Sequence, residues 1–298
     1  TVSWTYLGQT MVIHKKFDPQ SVIDEIERSG VTFTTFIPTM LQRTLRILED
    51  GPARDMSSLR RISYGSSPVP PGLARKAMDL LGCDLQQRYG LTECGGQATI
   101  LTPQDHRDMV NGKTSILTSC GQETPMVSIR IVDADGAPVP PGHEGSLQTR
   151  GPYTIRNYWQ DASPQSFTAD GFYCTGDRVV RDDAGYITVV GRDKDQINRV
   201  GEKIAPTEVE DLLLTHAAVR DASVVGAPDD RLGERIVAYV IPSTAAVDSG
   251  EVPDAFTLRG FLREAGLARF KIPDDVLIVD EFPTTAVGKI SKKDQRLS

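Results

Sequence analysis

The chain has 298 residues, 39% hydrophobic and 24% charged, an ordinary globular composition with room for two domains. Its formal net charge of -7 argues against nucleic acid and anionic membrane surfaces as partners. Cys83, Cys94, Cys120 and Cys174 lack Cys-x-x-Cys spacing, and His14, His106, His143 and His216 do not cluster. No disulfide framework or zinc site is therefore expected, which suits a reducing cytoplasm, and no apolar run reaches membrane-spanning length.

Residues 2–14 read as a buried element, a helix or strand running into a strand at 10–13. A domain rarely opens in mid-core, so an upstream portion is expected. A helix follows over 18–27, with Val22, Ile23 and Ile26 at helical spacing and Gly30 as its stop. The β-branched run 31–37 is a strand, and Pro38 opens a helix to about Glu49. A strand at 60–64 ends in Gly65-Ser66-Ser67-Pro68, a helix covers 71–81, and 84–89 is again a strand. This alternation predicts right-handed βαβ units and a parallel sheet, whose ligands bind beyond the carboxyl ends of the strands. The loops 65–68 and 89–96 lie at those ends.

From about Ser119 the pattern changes to alternating strands at 127–132, 145–150, 170–177 and 186–190, separated by Asp/Gly and Pro/Gly turns. These predict a small antiparallel sheet. The charge-dense stretch Gly191 to Ile204 follows, and its composition leaves a solvated linker and a ligand-facing hinge both open. Next come a helix from Pro206 with Thr207 and Glu210 as a capping box, and strands at 222–226 and 236–241. Beyond them lie a surface loop over 244–253, a helix over 257–266 with Leu258, Phe261 and Leu262 inward, a strand at 276–279 and a basic loop over 283–293. The fold class is α/β.

Four motifs stand in order: Tyr89-Gly90-Leu91-Thr92-Glu93, Tyr173-Cys174-Thr175-Gly176-Asp177, Gly191-Arg192 through Ile204, and Pro283 through Lys289. On these motifs the chain resembles the C-terminal portion of the adenylate-forming superfamily. That superfamily comprises acyl- and aryl-CoA synthetases, adenylation domains of nonribosomal peptide synthesis and luciferase. The resemblance implies an AMP-forming acid–thiol ligase that uses ATP and Mg²⁺ and passes its acyl group to CoA or a phosphopantetheine thiol. It implies a parallel βαβ subdomain over 1–118, a β-rich subdomain over 119–191, a hinge at 192–195 and a mobile C-terminal α+β domain over 196–298.

By the same resemblance, Tyr89 stacks on adenine beside Gly90, while Gly65, Ser66 and Ser67 line the adenine and acyl pocket. Thr92 donates to the α-phosphate, Glu93 holds Mg²⁺, and Asp177 and Arg192 hold the ribose. Lys194 is the pivot. Lys289 bridges the substrate carboxylate and the α-phosphate. Val200, Gly201, Glu202 and Lys203 form the loop of the thioester step, although relatives carry paired glycines where this chain has Val200-Gly201. The superfamily's phosphate loop has no counterpart here, so the chain is expected to be an incomplete enzyme.

Residues 149–156, 194–204 and 267–273 look like ligases that load dihydroxybenzoate or salicylate in siderophore pathways. The segment 64–68 and the pair Thr92-Glu93 look more like general acyl-CoA synthetases. The implied partners are a small carboxylic acid and an aryl or acyl carrier protein. Two alternatives stand beside the aryl-acid ligase: a fatty acyl-CoA synthetase, and a non-catalytic remnant that binds nucleotide or a carrier.

Overall fold

Proline sets where the helices of the first half begin. The computed structural model describes residues 6–65, 69–113, 116, 118–285 and 290–296, without the side chain of Asp161. It divides into Thr1–Pro125 and Met126–Ser298. In the first unit α1 (Pro19–Ser29), α2 (Pro38–Asp50), α3 (Pro71–Leu81) and α4 (Pro103–Val110) all carry proline in the first helical turn. There its missing N–H is no loss and its fixed φ is already helical. Gly30 and Gly82 end α1 and α3 in the left-handed conformation.

Strands β1 (Phe33–Phe36), β2 (Arg61–Gly65) and β3 (Asp84–Tyr89) pair in parallel, as the βαβ reading expects. The sheet continues antiparallel through β4 (Thr99–Leu101) and β5 (Gln122–Glu123). Ile23 and Ile26 of α1, Leu41 and Leu45 of α2, and Ile62 and Leu85 of the sheet are all buried. Tyr64 is buried too. Its hydroxyl donates to Nε2 of His106 at 2.8 Å, while Nδ1 of His106 donates to the Thr102 carbonyl at 2.7 Å. The ring is thus held neutral, and burial pushes its pKa below the usual value.

Three elements differ from the sequence reading here. The stretch 9–14 holds no regular structure, and Leu7, Val12 and Ile13 are exposed rather than buried. β-branched residues favour a strand only where a neighbour supplies a ladder, and no described strand pairs with this one. Strand β4 and helix α4 were not expected. Yet Thr102 and Asp105 form a reciprocal capping box around Pro103, a pattern visible in the sequence.

In the second unit β6 (Ser128–Val132), β7 (Glu144–Arg150), β8 (Tyr173–Arg181) and β9 (Ile187–Arg192) form an antiparallel sheet in that order. The charged stretch beyond it is ordered rather than a plain linker. β9 runs to Arg192, a short 3-10 turn spans Asp193–Asp195, and β10 (Ile197–Arg199) and β11 (Glu202–Ile204) make a hairpin. The hairpin joins β12 (Val219–Asp229), β13 (Gly233–Pro242) and β14 (Asp275–Ile278) in a five-stranded sheet.

Helices α5 (Pro206–Leu214) and α7 (Ala255–Glu264) cover one face of this sheet, over Val224, Ile236, Ala238 and Val240. Val225, Val237, Tyr239 and Ile241 face the other way, with Phe282. Burial on both faces explains the unbroken apolar run of β13. The residues of 244–249 form a helix, α6 (Thr244–Ser249), instead of a loop; Ser243 caps its start and Gly250 its end. The tail holds a short helix, α8 (Lys292–Gln295).

The expected Thr207–Glu210 capping box is absent. Pro206 takes the first helical position and Ala205 the N-cap, which puts Thr207 inside the helix. Its hydroxyl donates to the Val190 carbonyl at 2.6 Å instead. Glu210 accepts from the Val224 amide and from Lys292, both at 2.7 Å.

The tip of the β10–β11 hairpin stores strain. Arg199 pairs with Glu202, so Val200 and Gly201 form a two-residue turn, and both have positive φ, 53° and 86°. A β-branched residue there costs about 1–2 kcal/mol. Val200 is 71% exposed, so packing returns little. The turn is held from below instead. The Val200 amide donates to the Leu232 carbonyl at 2.8 Å, and Arg199 donates to Asp274 and to the Phe270 carbonyl, each at 2.6 Å.

Two stability predictions follow from these contacts. Val200→Asn, which tolerates the left-handed conformation, raises the unfolding free energy by roughly 1 kcal/mol in urea titrations; a loss of stability would contradict the strain. His106→Phe costs about 1 kcal/mol at neutral pH, because the Tyr64 hydroxyl loses its 2.8 Å partner and keeps only the longer contact to Gln87 Oε1 at 3.4 Å. A depressed histidine pKa contributes stability that is full above the unfolded value of about 6.5 and is lost as pH falls. The gap between wild type and His106→Phe therefore narrows below that pH in the same titrations.

Candidate functional site

Parallel pairing puts Phe36, Gly65 and Tyr89, the last residues of β1, β2 and β3, on one edge of the first sheet. At this edge β2 and β3 meet closely, and a Cβ on Gly65 would lie 2.8 Å from the Arg88 carbonyl oxygen. After Tyr89 the chain folds back sharply. The Ala98 amide donates to the Tyr89 carbonyl and the Gly96 amide to the Leu91 carbonyl, both at 2.8 Å. A Cβ on Gly90 would lie 2.7 Å from the backbone of Gly96 and Gln97, so only glycine fits.

Thr92 and Glu93 open a 3-10 turn within this fold-back. The turn is clamped by Cys94, whose buried sulfur sits 3.2 Å from the Leu91 amide and 3.3 Å from the Leu91 carbonyl. Burial pushes the Cys94 thiol up, so it serves as a clamp and not as a nucleophile. Thr92 is exposed; Glu93 and Tyr89 are half-buried. A flat aromatic face, a hydroxyl and a carboxylate thus stand within five residues at the carboxyl edge of the parallel strands. Ser66 and Ser67 lie outside the described residues.

In the second unit Asp177 sits on a bulge of β8. Ser146 pairs with Arg178, but Gln148 pairs with Cys174, so Thr175, Gly176 and Asp177 crowd opposite Leu147. Gly176 takes φ 73°, which a bulge of this kind requires. The Thr175 hydroxyl donates to the Leu147 carbonyl at 2.9 Å and accepts from the Asp177 amide at 3.1 Å. The Asp177 side chain is fully buried, and Nε of Arg192 approaches its Oδ1 to 2.6 Å from the paired position on β9. The two residues expected to share a role are therefore ion-paired across two strands.

Lys194, two residues on, is exposed, and its carbonyl accepts from Arg296 at 3.4 Å. Gly201, Glu202 and Lys203 follow Val200 at the exposed hairpin tip. Lys289 lies outside the described residues. The bulge and the Arg199–Asp274 support of the hairpin were not expected from sequence, because neither has a short-range signal.

Two cavities flank these regions. One of about 530 Å³ is lined by Arg60, Cys83 and Asp84, at the amino ends of the parallel strands, away from the motif residues. Burial pushes the Cys83 thiol there up to about 12, so it is inert. The other, about 340 Å³, lies beside the bulge, with Gln148, Cys174, Gly176 and Asp193 in its wall.

The donor set of Thr92 and Glu93 fits a phosphate–Mg²⁺ pair, because Mg²⁺ takes one or two carboxylates and draws its other ligands from phosphate and water. Among the described residues no group of three His, Cys, Asp or Glu side chains could hold a metal unaided. Among them, too, no helix is long and apolar enough to cross a membrane.

The sequence pattern of AMP-binding enzymes matches residues 1–159, and that of the AMP-binding enzyme C-terminal domain matches 208–289. The chain is 44% identical over 292 residues to pyochelin synthase PchD of Pseudomonas aeruginosa, covering 97% of this chain and 51% of that protein. It is 41% identical to the 2,3-dihydroxybenzoate-AMP ligase of Bacillus subtilis, covering 97% of this chain and 51% of the ligase. The fold is similar to the amide bond synthetase McbA of Marinactinospora thermotolerans, with a TM-score of 0.83 at 32% identity over 97% of this chain and 56% of that one. The chain spans about half the length of the curated relatives it matches. On the pattern that covers its first 159 residues and on this shared fold, the chain belongs to the AMP-binding, adenylate-forming enzymes.

Proposed function

We propose that this chain is the C-terminal portion of an ATP-dependent ligase that adenylates an aryl acid such as 2,3-dihydroxybenzoate or salicylate. The observation that carries the reading is the clamped Tyr89–Glu93 turn at the carboxyl edge of the parallel sheet. The dihydroxybenzoate ligase among its relatives supports the choice of acid.

In this reading Tyr89 stacks on the adenine, and Gly90 lets the backbone pass close to it. Asp177 accepts the ribose hydroxyls, with Arg192 holding its carboxylate in place. Thr92 donates to the α-phosphate as charge builds on it. Mg²⁺ held by Glu93 would neutralise phosphate charge. The acid's carboxylate oxygen attacks the α-phosphorus, the bond to the β-phosphate oxygen breaks, and pyrophosphate leaves. Lys289 bridges the two anions as they meet.

A thiol of CoA or of a carrier protein's phosphopantetheine then attacks the acyl carbonyl, and AMP departs. Lys194 serves as the pivot between the two half-reactions, and the Val200–Lys203 tip faces the thiol step. The subdomain boundaries at 119 and 192–195 belong to this proposal, as does a cytoplasmic location.

Thr92→Val and Asp177→Asn separate the roles. Thr92→Val lowers acyl-adenylate formation about 10- to 100-fold while the ATP Kd changes less than about threefold. Asp177→Asn weakens ATP binding about tenfold or more. Pyrophosphate exchange and calorimetric titration measure the two effects. Unchanged exchange in a folded Thr92→Val protein would refute the assignment.

A further inference from the structure

We infer that Val200 is a specificity residue of the thiol step, its isopropyl group packing against the pantetheine arm of the acceptor; this rests on the place given above to the 200–203 tip. The two-residue turn between Arg199 and Glu202 has positive φ at both central positions, 53° at Val200 and 86° at Gly201. Glycine or asparagine takes that backbone at little cost, whereas a β-branched residue is strained in it. A strained residue persists only where the surrounding structure over-determines it.

Here the backbone is over-determined, and the side chain is not. The Val200 amide donates to the Leu232 carbonyl at 2.8 Å. On one side of it the Asn198 amide donates to Glu234 at 2.6 Å, and the Arg199 guanidinium donates to Asp274 at 2.6 Å. These contacts fix the turn, and none of them uses the isopropyl group. That group is 71% exposed and belongs to neither apolar cluster on the two faces of its sheet. Any residue with an amide would be held the same way. What valine adds is an apolar branched surface, offered outward from a rigid tip.

The neighbouring strand says what lies against it. β11 is the outer strand of the five-stranded sheet, and among the described residues no strand pairs with its outer edge. Such an edge presents backbone donors and acceptors to an extended chain laid along it. An arm that carries amides and a branched apolar segment suits both features: its amides meet the edge, and its methyl groups meet Val200. Pantetheine is such an arm, with a geminal dimethyl group beside its amides. CoA and the phosphopantetheine of a carrier protein share it.

The test uses the protein as its gene encodes it, with Val200→Asn, Val200→Gly and Val200→Ile. Transfer from supplied acyl-adenylate is measured to CoA, to carrier-borne phosphopantetheine and to N-acetylcysteamine, a thiol without the dimethyl segment. Pyrophosphate exchange reports adenylation, and urea titration reports the fold. Val200→Asn and Val200→Gly are expected to raise the KM for CoA and for the carrier about tenfold, with kcat/KM for N-acetylcysteamine within about twofold of wild type. Val200→Ile, which keeps the branched surface, keeps both KM values. A structural role would lose stability and transfer together; the contact predicts that Val200→Asn is the more stable protein and the poorer user of acceptor. Unchanged KM values in the folded Asn and Gly variants overturn the inference. So does an equal loss with N-acetylcysteamine, which puts the effect on transfer itself, or a loss with one pantetheine acceptor alone, which puts the contact outside the shared arm. Normal exchange with no transfer to any thiol by the unmutated protein refutes the thiol step proposed above, and the role of Val200 with it.

Discussion

Parallel pairing of three short strands is the constraint on which the first unit depends. Because β1, β2 and β3 run the same way, the loops after Gly65 and Tyr89 leave from one edge, and a crossover helix must return the chain after each of the first two strands. That geometry, and not any single side chain, puts an aromatic ring, a hydroxyl and a carboxylate side by side. The fold-back at Gly90 and the Cys94 clamp then fix their spacing. In the proposed reading the chemistry asked of this edge is modest: polarise a phosphate, seat a cation and give a flat base something to rest on.

The second unit solves a different problem. It must hold a fully buried carboxylate, which is costly unless paired. The bulge at Thr175–Asp177 supplies the turn of backbone, and Arg192 supplies the countercharge. Arg192 remains half-exposed, so the pair is not sealed off from solvent. Immediately beyond it the chain passes through the 3-10 turn at 193–195 and into a hairpin whose tip carries left-handed valine. A rigid pair, a short turn and a strained tip follow one another within ten residues. The stretch is therefore folded backbone throughout, not a plain linker.

Much of this was legible in the sequence, for reasons that are local. Proline in the first turn and glycine at the C-cap mark α1 and α3, and β-branched runs mark β1 and β13. Capping signals were less dependable. Thr207 and Glu210 have the right spacing, but Pro206 claimed the helix start and both side chains found partners elsewhere. Thr102 and Asp105 have the same spacing and do cap, next to a strand too short to announce itself.

What stayed hidden is long-range. Tyr64 and His106 are 42 residues apart, and Ser223 and Gln295 are 72 apart. No pattern within a window of a dozen residues reports such contacts. The reach of the motif at 89–93 was clearer than its clamp, because the motif residues are consecutive and the contacts of Gly90 are not.

The most direct test of the account is ATP–pyrophosphate exchange on the protein as its gene encodes it, with a panel of 2,3-dihydroxybenzoate, salicylate, benzoate and medium-chain fatty acids. The account predicts exchange that depends on one of the hydroxylated aryl acids and exceeds that with any fatty acid at least tenfold. Exchange driven best by a fatty acid, or binding of ATP with no exchange for any acid in the panel, would contradict it.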